Sequence, residues 1–215
     1  MISPDLNFAI EAAEPLRFAA SPHIQFKLRV TNNSNTPIHS VILRCQIQLD
    51  ASQRVYTSKE QDRLIDLFGE AGRWGQTLRS VLWTNISVVL PAFDTGLEAD
   101  LSVPCTFDFN VAATKYLHAV EDDVPVFFFF NGTIFYEGEH GMLQVALISW
   151  AKEAAFRMPV SVWREMMDAY YPNTAWLCLQ REAFDRLNEY KVKHGFTTFE
   201  QALLRALDAS VEATA

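Results

Sequence analysis

Five histidines, three cysteines and 26 acidic residues are the groups from which metal centres and hydrolytic sites are made. A metal ion needs such groups to converge, and spacings such as HxxxH, HExxH or CxxC announce it. His23, His39, His118, His140 and His194 are scattered without that spacing. Glu137, Glu139 and His140 form the one dense grouping, but they sit beside Gly138 and Gly141 in an expected hairpin turn, where solvated polar residues are ordinary. No metal and no cofactor is expected.

A nucleophilic hydrolase would place a Ser or Cys on a sharp turn such as GxSxG, and the chain has none. Cys45 and Cys105 fall on inward strand positions and Cys178 lies between two leucines, so all three read as buried, inert thiols. The stretch from Gly69 to Gly75 is glycine-rich, yet it follows a helix pattern and lacks the Lys-Ser/Thr of a phosphate loop. Asp122 with Asp123, and Glu137 with Glu139, read as solvated charges, because acid–base catalysis needs carboxyls opposed in a cleft. Trp74, Trp83, Trp150, Trp163 and Trp176 could stack on sugars, although most occupy positions patterned as core. No catalytic residue is assigned.

One grouping has the character of a binding surface. Trp176, Phe184, Tyr190 and Lys191 bring aromatic area and charge together on a helical segment, which is how protein interfaces are anchored. The competing reading is that these aromatics cover the strand around Phe127 to Phe130.

The composition narrows the partners. A net charge of −8 with no basic stripe excludes nucleic acid and an anionic membrane surface, both of which demand clustered Lys and Arg. The longest apolar run, Val124 to Phe130, is interrupted by Pro125 and is far short of a membrane span. The opening Met1-Ile2-Ser3-Pro4-Asp5 lacks the basic and apolar regions of a secretion signal. An odd number of well-separated cysteines fits a reducing compartment. A cytoplasmic protein is expected.

Positioning elements follow from periodicity. Ile24, Phe26, Leu28 and Val30 alternate with polar residues, the period-two signature of a half-buried strand, and Val41, Leu43, Cys45, Ile47 and Leu49 repeat it. A short first strand is expected from Leu6 to Ile10. Ser58 to Gln61 reads as a capping box opening a short inserted helix that ends at Gly69, followed by a loop. Strands are expected over 81–90 and 97–103, alternation returns around Cys105, Phe107 and Phe109, and a final pair spans 124–136 and 142–150. The Phe127 to Phe130 block is apolar on both faces, so something other than water must cover each.

After Pro159 the period becomes helical. Val162, Trp163, Met166, Met167 and Tyr170 share one side of a first helix, Phe184, Leu187 and Tyr190 mark a second, and Thr197 to Glu200 caps a third. The fold expected is mainly β with α: an antiparallel immunoglobulin-like β-sandwich over 1–158, followed by a C-terminal helical region over 159–215 packed on it.

Leu6-Asn7-Phe8 leads to Phe26-x-Leu28-x-Val30-x-Asn32, a strand ends at Trp150, and Trp176-Leu177 is followed by Phe184, Lys191 and Gly195. On these residues the chain resembles, along nearly its full length, an uncharacterised bacterial family, a domain of unknown function whose genes lie among those of nickel–iron hydrogenases. The resemblance carries no catalytic residue across. It implies an accessory role in assembly, maturation or attachment of a hydrogenase, with hydrogenase subunits or maturation factors as partners. The expected function is therefore a non-catalytic accessory or protein-binding scaffold; the alternative is a hydrolase or carbohydrate-binding sandwich.

Overall fold

The computed structural model describes residues 4–106, 111–138, 141–174 and 179–212. The chain divides into two compact units, residues 1–173 and 174–215.

Two antiparallel sheets make up most of the first unit. One holds β1 (Leu6–Pro15), β2 (His23–Asn32) and β5 (Gly96–Pro104) in the order β1-β2-β5. The other runs β4 (Val81–Leu90), β3 (Ile38–Leu49), β6 (Val124–Glu137) and β7 (Leu143–Leu147), with β8 (Glu153–Met158) also pairing with β6. The alternation anticipated for β2 and β3 is present: Ile24, Phe26, Leu28 and Val30 are buried, as are Val41, Leu43, Cys45, Ile47 and Leu49.

These inward rows meet across the sheets. Phe8 of β1 stacks on Phe130 of β6 at 4.4 Å, and Phe26 of β2 meets Phe128 edge-on at 5.0 Å. Trp83 is the extra residue where the β3–β4 register shifts, and the bulge turns its indole inward, 6.0 Å from Phe26. Burying rings of this size against each other supplies a large share of the apolar burial that drives folding.

Several boundaries differ from the sequence reading. The first strand extends to Pro15 because a bulge between Ile10 and Ala12 re-registers it beside β2. The expected strand over 142–150 is shorter, since β7 ends at Leu147; a turn then carries the chain to β8, and both flank the same edge of the long β6. On its other edge β6 lies close to β3 at Gly132. The Gly132 φ is +147, and a Cβ there would clash with the Ile42 carbonyl oxygen, so only glycine lets β6 approach β3 so closely.

The inserted segment contains α1 (Ser58–Arg63), α2 (Ile65–Phe68) and α3 (Trp74–Thr77), the last where a loop was expected. Its capping box is one residue earlier than read: Thr57 accepts from the Glu60 amide, and Glu60 accepts from the Thr57 amide. The pattern S/T-x-x-E/Q fits both Thr57/Glu60 and Ser58/Gln61, and burial of Glu60 selects the first. Gly69 ends α2 at φ +74, as anticipated. A helix that the sequence reading lacked, α4 (Val111–Ala119), precedes β6; Phe107 and Phe109 lie outside the described residues.

Helix α5 (Val160–Tyr170) belongs to the first unit and packs against β1 and β2, burying Val160, Trp163 and Met166. The Tyr170 hydroxyl donates to the Leu16 and Ala19 carbonyls, tying the helix end to the β1–β2 connection. The second unit holds α6 (Arg181–Lys193) and α7 (Phe199–Glu212). Gly195, at φ +70, follows α6, and Thr198 with Gln201 caps α7 one residue later than expected.

Candidate functional site

The outer faces of the two sheets have opposite chemistry. On β1-β2-β5 the outward side chains are ions in contact: Lys27 bridges Glu14 and Asp100, and Arg29 bridges Glu11 and Glu98, at 2.7–3.2 Å. Both cations occupy outward positions of β2, between a carboxylate from each neighbouring strand. Such exposed pairs contribute little stability, but they mark a face made for water.

The outer face of the other sheet is apolar along one row that crosses four strands. Val89 on β4 is the register partner of Ile42 on β3, Ile42 of Thr133 on β6, and Thr133 of Leu147 on β7. Val89, Ile42 and Leu147 are exposed, Leu147 at 78%. The next row pairs Phe135 with exposed Val145, and Leu143 follows on the same side. In the turn after β7 stands Trp150, 90% exposed. Large apolar side chains grouped in this way are costly in water and are characteristic of surfaces that bind other molecules. Further along the same face Phe127 and Phe129 stack at 6.2 Å, half-buried.

Ile42, Val89 and Leu147 are not among the residues that the sequence pattern singles out. The signal was present as apolar runs without alternation, in Val41-Ile42-Leu43 and Val88-Val89-Leu90. One residue of each run faces out on a strand, so such a run reports an apolar outer face. Trp150 was grouped with core tryptophans. Trp74, Trp83 and Trp163 are indeed buried, whereas Trp150 is not.

Of the proposed binding residues, Trp176 lies outside the described residues. Phe184, Tyr190 and Lys191 sit on α6. Phe184 is exposed and lies 5.3 Å from the Phe199 ring, and the Lys191 ammonium stands 5.1 Å from the centre of the same ring. Tyr190, half-buried, packs on His194 at 4.4 Å and Phe196 at 6.1 Å. Phe184 and Lys191 thus converge on Phe199, with Tyr190 in a separate aromatic group.

The polar chemistry is concentrated where the inserted helices meet α4. Arg54 Nη2 donates to Glu60 Oε1 at 2.7 Å, with both side chains almost fully buried. Glu60 also accepts from the amides of Thr57 and Glu121. Burial alone would raise the Glu60 pKa; these amides and the Arg54 charge outweigh it and hold the carboxyl below its ordinary value. Beside this pair the Tyr56 and Tyr116 hydroxyls share a 2.7 Å hydrogen bond, and Tyr56 donates to the Ala51 carbonyl. Burial pushes the pKa of both phenols above the ordinary range. The network fastens α1 to α4 and the end of β3.

Cys45 and Cys105 are buried, and burial pushes each thiol up to about 12, so neither is a thiolate nucleophile at neutral pH. Cys178, Glu139 and His140 lie outside the described residues. Asp122 and Asp123 are exposed before β6. A concavity of ≈ 480 Å3 is lined by His39, Asp94, Glu137 and Leu143 among others. Among the described residues no group of three or more His, Cys, Asp or Glu is placed to hold a metal ion, and no helix is long and apolar enough to cross a membrane.

A family model described as a family of unknown function (DUF6084) matches residues 3–215. No curated protein matches the sequence. Among solved structures, similarity is found to a CARDB domain from Pyrococcus furiosus crystallised with di-metal ions, at 13% identity and TM-score 0.29, covering 73% of this chain and 92% of that one. It is also found to a putative ApaA protein from Bordetella pertussis, at 15% identity and TM-score 0.30, covering 73% and 95%.

Proposed function

The chain belongs to the DUF6084 family of unknown function, and we propose that it is a non-catalytic scaffold that binds another protein through the outer face of its five-stranded sheet. The observation that carries the proposal is the uncharged row Val89-Ile42-Thr133-Leu147, followed in the turn after β7 by exposed Trp150, set against the ion-paired face of the other sheet. An exposed tryptophan next to aliphatic side chains is the composition of an interface anchor. Phe184, Tyr190 and Lys191 of α6 are a second candidate contact.

The strand orders β1-β2-β5 and β4-β3-β6-β7 support an immunoglobulin-like connectivity, in which a rigid sandwich presents its faces and loops to partners. The partner class follows from the resemblance stated above: a nickel–iron hydrogenase subunit or maturation factor, met in the cytoplasm. The test is co-purification from the native host under oxygen-free conditions, comparing the wild-type chain with Leu147→Glu. Retention of a hydrogenase component by the first and its loss by the second would support the reading. A chain that elutes alone, or identical recovery by both, would count against it.

One observation favours a hydrolytic or carbohydrate-binding reading instead. Asp94, Glu137 and His39 line the same concavity, close to Leu143. Asp94→Asn and Glu137→Gln, assayed against glycoside and ester substrates, would reveal such an activity by abolishing it.

A further inference from the structure

The apolar side chains of β7 belong to a strand whose far edge is open. In an antiparallel ladder, alternate residues turn both their N–H and C=O toward the neighbouring strand. Around β7 the even-numbered residues face β6: Gly138 N donates to the Met142 carbonyl at 2.8 Å, and Ile148 N donates to the Gly132 carbonyl at 3.0 Å. The register between them pairs Tyr136 with Gln144 and Ile134 with Ala146, in the same phase. The main-chain groups of Leu143, Val145 and Leu147 therefore point away from β6. Among the described residues β7 pairs with no other strand, and no turn or loop hydrogen bond reaches those three.

We infer that β7 pairs antiparallel with β7 of a second copy of this chain, about a two-fold axis at Val145. That axis sets Val145 opposite Val145 of the second copy, and Leu143 opposite Leu147 of the second copy. All three are outward-facing positions, so each opposed pair exchanges two main-chain hydrogen bonds. The side chains meet as Val on Val and Leu on Leu, the aliphatic cross-strand contacts that stabilise ladders. The strand itself brings no charge to the approach. Leu143-Gln144-Val145-Ala146-Leu147 carries no charge in a chain whose net charge is −8, whereas β1 and β5 are studded with carboxylates. Edge strands that must stay single carry Lys, Pro or inward charges, and β7 has none of them.

The contact is confined to the five residues of one strand, so it falls below the ~800 Å2 per partner of a standard interface. The pairing is thus a weak one, with a dissociation constant on the order of micromolar to tens of micromolar. It joins the two five-stranded sheets edge to edge and shares Leu147 with the docking face, while Ile42 and Val89 belong to the docking face alone.

Sedimentation equilibrium from about 1 to 300 µM, bracketing that range, tests it. The expected result is a monomer–dimer equilibrium in the wild-type chain that Val145→Pro abolishes. Proline at an outward edge position removes only an unpaired N–H, so the fold survives. Directly opposed hydrogen-bonded residues lie about 5.5 Å apart at Cα, within disulfide reach. Val145→Cys is therefore expected to form a covalent dimer under mild oxidation, well above the wild-type background. On the wild-type chain, deuterium uptake by the 142–148 segment is expected to fall as concentration rises. A monomer at every concentration would overturn the inference and leave the edge to a strand from a different protein. A dimer indifferent to Val145→Pro and not trapped by Val145→Cys would overturn it too. Val89→Glu, off this edge, is expected to leave the dimer intact while weakening partner capture, which separates failure of the pairing from failure of the docking face.

Discussion

Ile42 faces Val89 across the β3–β4 ladder with both side chains exposed, while their chain neighbours Val41 and Leu90, opposed in the same register, are buried. A strand has only two sides, so where two strands are apolar on both, as at this pair, one side is covered by the core and the other is open. The sandwich requires the inner row. Nothing in its packing requires the outer one, and that surplus is what a partner would use.

Charging the outer row should separate binding from folding. Val89→Glu and Leu147→Glu replace exposed side chains and are expected to change stability by less than about 1 kcal/mol. Thermal unfolding monitored by circular dichroism checks this; a loss of several kcal/mol would show that the row is buried by packing.

Trp150 is expected to dominate the contact. At 90% exposure its removal costs the fold almost nothing, yet truncating a buried aromatic anchor in an interface costs about 2 kcal/mol or more, some 30-fold in affinity. Titration calorimetry of Trp150→Ala against the captured partner measures it. Unchanged affinity would move the anchor elsewhere on the face.

The interior makes a contrasting prediction. Glu60→Ala leaves the Arg54 guanidinium buried beside an empty site, and removal of one partner from a buried ion pair costs about 3–5 kcal/mol. Urea unfolding should report a large loss for Glu60→Ala and a smaller one for Glu60→Gln, which retains an acceptor for the amides. Equal, negligible losses would show that α1 is not fastened by this network.

His118 and Glu60 both contribute to the acid side of the stability profile. Burial, aided by the Arg164 charge, lowers the His118 pKa below 6.5, and the amides and Arg54 hold Glu60 below 4.5 against the opposing effect of burial. Both bind protons more weakly folded than unfolded, so protonation favours the unfolded chain. Their contributions are complete above the ordinary imidazole value. The His118 contribution falls away first on acidification and the Glu60 contribution at lower pH. Unfolding midpoints measured from about pH 7.5 to pH 3.5 should decline in these two stages, with His118→Gln removing the upper one.

Gly132→Ala should be among the most damaging single-methyl changes. The added carbon would meet the Ile42 carbonyl and force a non-glycine residue to φ +147, a combination expected to cost about 3 kcal/mol. A stability within about 0.5 kcal/mol of wild type would show that β3 and β6 separate freely there.

Much of this architecture was legible in the sequence. Period-two patterning located β2 and β3 almost to the residue, and Gly69 and Gly195 marked helix ends. Register was not legible. The bulge at Trp83, the division of the last segment into β7 and β8, and the shift of the first capping box to Thr57 all depend on contacts between distant residues. The candidate site was hidden for a related reason. Hydrophobicity shows which residues avoid water but not which side of a strand they occupy once both sides are apolar, so nothing in the pattern marks Ile42 and Val89 as a surface. Helical spacing is local and puts Phe184 and Lys191 on one helix, but that both meet Phe199 of the next helix, and that Tyr190 packs on His194 and Phe196, depends on contacts between elements.

Partner capture by the wild-type chain and by a Val89→Glu/Leu147→Glu double variant, compared quantitatively under oxygen-free conditions in the native host, tests the docking face most directly. A hydrogenase subunit or maturation factor retained by the wild type and lost from an equally stable variant is the expected result. The same proteins recovered at the same level with both chains would contradict it.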